Sequence, residues 1–150
     1  MITVQVNQST TLPVDETILI QAAQQTLLSA SVDRESELSI VLEDDLFLQQ
    51  LNQKYLGIDT PTDVLSFPAG HIDPDTNSVY LGDVIISIPR AQSQATAGNH
   101  TLADELQLLV VHGVLHLIGF DHVGDEDKKN MQATQDEILK QLGVKVKASF

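Results

Sequence analysis

His112, His116 and His122 stand in the run HGVLHLIGFDH, a His-x-x-x-His-x-x-x-x-x-His spacing with Gly119 in the second gap. Two residues four apart on a helix lie one above the other on the same face, so His112 and His116 can aim their imidazoles at one point. A third ligand must come from beyond a break in that helix. Gly119 supplies the break, because glycine adopts the left-handed conformation that ends a helix and turns the chain back, bringing His122 toward the pair. Three neutral imidazoles with no fourth protein ligand in the run describe a catalytic zinc site with one position left for water. An ion so held keeps its double charge, lowers the pKa of water from 15.7 to about 7 and polarises a carbonyl or phosphoryl oxygen, so metal-assisted hydrolysis is the predicted reaction class.

The alternative is three ordinary core or surface histidines. The chain has five His in all, and Val110, Val111, Val114, Leu115, Leu117 and Ile118 around the first pair would desolvate these rings, which is costly without a partner. The metal reading is therefore preferred, with nickel, copper or iron suited to the same nitrogen ligands as zinc. The spacing is also that of the metzincin proteases, whose general base is a Glu directly after the first His. Here that position is Gly113, which moves no protons, so a metallopeptidase is disfavoured. Asp121 is the nearest carboxylate in sequence and is expected either to orient a ligand imidazole, to take part in proton transfer, or to serve only in the turn.

The elements that must hold these residues follow from 150 positions, enough for one domain over residues 1–150 with its own core. There is no cysteine, which excludes disulfides and thiolate metal sites and suits a reducing cytoplasm. No basic-then-apolar leader opens the sequence, and the longest apolar stretch, Leu106 to Phe120, is too short to span a membrane. Twenty-one acidic against eight basic residues give a net charge of −13. That balance does not suit a protein that grips nucleic acid mainly through phosphates, and no DNA partner is expected.

Ile2 to Val6 alternates as a strand, and Pro13 with Asp15 announces a helix to about Ser31. Glu37 to Leu42 reads as a second strand, and Asp44 and Asp45 open a helix with the stripe Leu46, Leu48 and Leu51. Val64 to Phe67 and Val79 to Ile88 read as two further strands, paired antiparallel. Helices follow to about Ala97, from Thr101 to Ile118 and from Asp125 to Leu142. The order β-α-β-α-β-β-α-α-α predicts an α+β fold: a small mixed sheet of about four strands covered by helices, with a central metal-bearing helix. His71 and His100 fall outside the metal spacing and are read as surface residues.

The histidine segment resembles the signature of the YbeY family of bacterial rRNA maturation endoribonucleases, His-Gly-x-Leu-His-Leu-x-Gly-(Tyr or Phe)-Asp-His, matched by His112, Gly113, Leu115, His116, Leu117, Gly119, Phe120, Asp121 and His122. Pro61 to Pro68 (PTDVLSFP) and Leu81 to Val84 (LGDV) also resemble the family, so the likeness runs over roughly the last two thirds of the chain. The resemblance implies a zinc-dependent, single-strand-specific endoribonuclease acting on the 16S rRNA precursor in 3′-end processing, with small ribosomal subunit components as partners. A non-catalytic ribosome-assembly adaptor carrying the same metal is the second reading.

The family usually has an arginine, implicated in handling RNA, where this chain has Leu56, in Asn52-Gln53-Lys54-Tyr55-Leu56. Leucine neither grips a phosphate nor stabilises developing negative charge. Lys54 and Arg90 are the candidate substitutes, although lysine lacks the bidentate fork. Ser66 and Phe67, on the predicted strand before Pro68, are the candidates for holding an unpaired base, with packing in the sheet as their other role.

Overall fold

The computed structural model describes residues 1–7, 13–32, 35–121 and 123–146. Four strands, β1 (Ile2–Val6), β2 (Ser36–Glu43), β3 (Val64–Ile72) and β4 (Val79–Ser87), form one sheet in the order β1-β2-β4-β3. β1 pairs parallel with β2 and β2 with β4, while β3 runs antiparallel to β4 at the edge. Five helices accompany them: α1 (Glu16–Ser29), α2 (Asp45–Leu56), α3 (Ile88–Gly98), α4 (Leu102–Leu117) and α5 (Asp125–Leu142). This is the expected α+β arrangement with a mixed sheet. Among the described residues no helix is long and apolar enough to cross a membrane.

Successive strand side chains point to opposite faces, and both faces are used here. Leu38, Ile40, Leu42, Val84 and Ile86 face the larger core, where they meet Leu19, Ala22 and Ala23 of α1, Ile88 and Ala91 of α3, the apolar residues of α4, and Met131, Ile138 and Leu139 of α5. Their alternates, with Leu65 and Ile85 buried and Val41 and Phe67 partly so, face a smaller core closed by Leu48 and Leu51 of α2. The sheet is thus a middle layer, with four helices on one side and α2 on the other.

Two boundaries differ from the sequence expectation. β3 continues past Phe67 through Pro68 to Ile72 with a register irregularity between Pro68 and His71; a proline is tolerated there because β3 is an edge strand. β4 stops at Ser87, because the Ser87 hydroxyl accepts from the Arg90 amide and caps α3, with Pro89 in the first turn. Ile88 is therefore helical, not the end of a strand.

α4 is the centre of the larger core. Apolar residues surround it, ten of its sixteen residues are buried, and Thr101 caps its start by accepting from the Asp104 amide. Its end is closed by Gly119, at φ +104°, with the Gly119 amide donating to His116 O and the Phe120 amide to Leu115 O. The helix lies close against the sheet at Gly113, where a Cβ would stand 2.5 Å from Val84 Cγ1. The residue that replaces the protease glutamate is therefore a packing requirement of this fold.

Candidate functional site

His112 and His116 occupy consecutive turns of α4, both half-buried, with ring centroids 4.8 Å apart and ring planes at 72°. Their Nε2 atoms face each other at 3.2 Å. Two nitrogens each about 2.0–2.1 Å from a tetrahedral ion stand roughly 3.3 Å apart, so the pair fits two ligands of one metal. His122, the third expected ligand, lies outside the described residues. Among the described residues no three His, Asp or Glu side chains converge as a metal-holding group.

Across from the pair lies β3. The Ser66 hydroxyl donates to the Gly113 carbonyl at 2.9 Å, stitching the strand to α4 between the two histidines. A cavity of about 400 Å³ opens there, lined by Leu56, Thr62, Asp63, Val64, Leu65, Ser66, Pro68, His112 and His116. Leu56, at the position where the resembled family carries arginine, is 59% exposed and forms part of this wall. Of the expected site residues, His112, His116 and Ser66 are brought together.

Lys54 and Arg90, the candidate substitutes for the family arginine, and Phe67, a candidate for holding a base, are not among the residues lining this cavity. Phe67 follows Ser66 on the strand and so points to the opposite face, where it meets Tyr55 edge-on at 5.2 Å. Lys54 is exposed on α2 with Nζ 5.2 Å from the centroid of the Tyr55 ring. Arg90 is engaged by Asp45 in a two-point fork, Nε to Oδ1 at 3.0 Å and Nη2 to Oδ2 at 2.9 Å. Asp121 lines a different cavity, of about 290 Å³, with Gly119, Phe120, Asp127 and Asn130. His71 is exposed on β3 as expected, but His100 is not a surface residue: its Nε2 stands 2.6 Å from Oε1 of the buried Glu105.

One participant escaped the sequence reading. Gln135 of α5 is fully buried and its Oε1 stands 3.0 Å from His112 Nδ1. An acceptor there holds the proton on Nδ1 and leaves the Nε2 lone pair directed at His116. Its own Nε2 is buried without a hydrogen-bond partner among the described residues. A polar residue inside the stripe Met131, Gln135, Ile138 and Leu139, at i, i+4, i+7 and i+8, was the available signal, since burying an amide in an apolar face calls for a polar partner.

The family model described as Endoribonuclease YbeY matches residues 3–143. A protein of Pelotomaculum thermopropionicum named Endoribonuclease YbeY is 42% identical over 130 residues, covering 85% of this chain and 86% of that one. One of the same name from Moorella thermoacetica is 40% identical over 149 residues, covering 93% and 96%. Among solved structures, the solution structure of TM1509 from Thermotoga maritima superposes with a TM-score of 0.62 at 25% identity, covering 95% of this chain and 89% of that one.

The Asp45–Arg90 pair gives a pH prediction independent of any ligand. Hydrogen bonds from Arg90 hold the Asp45 carboxyl below its ordinary value of 3.8, outweighing partial burial, with Ser87 assisting. A depressed folded pKa contributes stability above the unfolded value and loses it as pH falls through the folded one. Both side chains are more than a third exposed, so the contribution is at most about 1 kcal/mol. In urea titrations, Arg90→Met is expected to be less stable than the parent at neutral pH and to converge with it below pH 3.8; a gap that persists into acid rules this out.

Proposed function

The chain belongs to the Endoribonuclease YbeY family, and on that premise we propose that it is a zinc-dependent endoribonuclease that cuts single-stranded RNA in 16S rRNA 3′-end processing and ribosome maturation. The observation that carries this reading is the facing of His112 and His116 Nε2 at 3.2 Å on the wall of an open cavity. Zinc bound by these two rings, with His122 as the third, would supply a Lewis acid for a phosphoryl oxygen and an acidified water at neutral pH. Another divalent transition metal would satisfy the same nitrogen ligands.

The protein's own part is orientation and access. Gln135 fixes the His112 proton on Nδ1, and the Ser66–Gly113 bond holds the strand against the helix. The cavity, of about 400 Å³ and bounded by the edge strand β3, suits an unpaired strand better than a duplex, since single-stranded RNA can splay its bases. A net charge of −13 disfavours broad phosphate binding, so recognition is local and partners among small ribosomal subunit components complete it. The proposed setting is the cytoplasm, where those partners reside.

Leu56 favours a second reading, a ribosome-assembly adaptor that keeps the metal without efficient catalysis, because its side chain forms the cavity wall where a guanidinium would have met phosphate.

Three measurements test these readings, the last of them separating one from the other. His116→Ala is expected to lose both bound zinc, by elemental analysis, and cleavage of a single-stranded RNA; cleavage by a metal-free variant would reject the proposal. Gln135→Leu is expected to weaken zinc binding about 10–100-fold in competition with a chelating dye, whereas Gln135→Glu, which keeps an acceptor, retains it; equal affinities would show that Gln135 does not orient His112. Leu56→Arg is expected to raise cleavage about tenfold or more, and an unchanged rate with intact binding to ribosomal subunits would select the adaptor.

A further inference from the structure

The position that bears the general base in similarly spaced proteases is Gly113 here, and the 2.5 Å approach of Val84 Cγ1 leaves no room for a larger residue. A base for hydrolysis must therefore come from another element. Asp63 is the one carboxylate among the described residues lining the cavity that His112 and His116 share. It forms no metal-holding group with those two rings, so it stands in the same space without being their fellow ligand.

Asp63 is also the outer end of a chain of polar side chains that the core fold keeps in place. Gln94 of α3 donates through Nε2 to Asp63 Oδ2 at 3.3 Å and to Glu105 Oε2 at 3.0 Å. Those two bonds use both hydrogens of the amide, one for each carboxylate. Glu105, on α4 two turns before His112, has a side chain only 4% exposed, and its other oxygen meets His100 Nε2 at 2.6 Å. The Thr62 hydroxyl lies 3.5 Å from Asp63 Oδ1. The main chain is pinned as well, since the Ser87 amide donates to the Asp63 carbonyl at 2.9 Å. Burying an acidic side chain such as Glu105 is costly unless both oxygens are matched, and here they are. That cost is repaid by a link between the helix carrying the histidines and the Asp63 carboxylate of the cavity they share.

We propose that Asp63 is the catalytic base of this cavity, with Gln94, Glu105 and His100 as the residues that position it. The inference rests on the endoribonuclease reading. In the step assigned to it, the oxygen of the attacking water forms a bond to phosphorus while one of its protons passes to the Asp63 carboxylate. The bond from phosphorus to the leaving ribose oxygen breaks with its electron pair on that oxygen, which takes a proton from solvent. Asp63 then returns its proton to solvent before the next turnover. No oxidant, reductant or further reactant is needed.

The test compares the zinc-loaded full chain with Asp63→Asn, Asp63→Ala, Gln94→Met and His116→Ala on one fluorescent single-stranded RNA, with zinc content and thermal melting measured on each. Asp63→Asn and Asp63→Ala are expected to lower kcat about 10²–10⁴-fold, with KM and zinc content close to the parent's. Added formate, which fits the space vacated in Asp63→Ala and can accept a proton, is expected to restore part of its rate in proportion to concentration and to leave His116→Ala inactive. Gln94→Met is expected to lower kcat about tenfold at constant KM, as for a group that acts through its neighbour. An active parent whose Asp63→Asn keeps its kcat, or loses rate only in step with zinc content or KM, overturns the proposal and leaves the endoribonuclease reading standing. So does an inactive, folded Asp63→Ala that formate does not revive. A parent that leaves the RNA intact overturns the reading itself, and the proposal falls with it.

Discussion

The close contact between α4 and the sheet at Gly113 sets the geometry on which the site depends. With no side chain there, Val84 comes within 2.5 Å of where a Cβ would sit, and the Ser66 hydroxyl reaches the Gly113 carbonyl at 2.9 Å. A methyl group at that point would push the helix off β3 and β4 or force the valine from its rotamer, because packed interiors absorb little added volume. The same contact sets the histidines, on the turns before and after Gly113's own position, against the edge strand β3. The cavity lined by Val64, Leu65 and Ser66 of β3 and by both histidines lies beside that contact.

Around that contact the core holds polar groups in a pattern that apolar packing alone does not explain. Gln135 is fully buried against His112, and Glu105 is 3% exposed between Gln94 and His100. Gln135 reaches α4 from α5 at the His112 ring, and Glu105, on α4 itself, reaches Asp63 through Gln94. Buried amides and carboxylates are tolerated where their bonding is matched, and in return they fix side-chain orientation more sharply than methyl groups do. Among the described residues the Nε2 of Gln135 has no partner, so the orientation at His112 is kept there with one donor unmatched.

Electrostatics sharpens the contrast between the cavity and the rest of the molecule. With 21 acidic and 8 basic residues the surface repels polyanions at long range, and Arg90 is already committed to Asp45. Leu56 adds no charge to the cavity wall. None of the described residues lining the cavity is a lysine or an arginine, so its wall offers an RNA strand no fixed cation.

Element types and order were legible in the sequence because they rest on local rules: alternation in β1 and β2, the acidic caps of α1 and α2, and the glycine ends of α4 and α5. The pairing of His112 with His116 was equally legible, since i and i+4 on a helix meet whatever the fold. Phe67, Arg90, His100 and Asp63 were not. Phe67 faces away from the histidines because of strand alternation in a sheet covered on both sides, and Arg90 turns to Asp45 because α2 and α3 meet beyond the end of β4. His100 is drawn inward by a carboxylate that burial leaves in need of a partner. Asp63 lines the same cavity as the histidines although nearly fifty residues of sequence separate them, a distance that local patterns do not read. The sequence by itself determined that two imidazoles share one face of one helix; only the tertiary structure decided what lines the cavity beside them, because that depends on long-range packing of strand against helix.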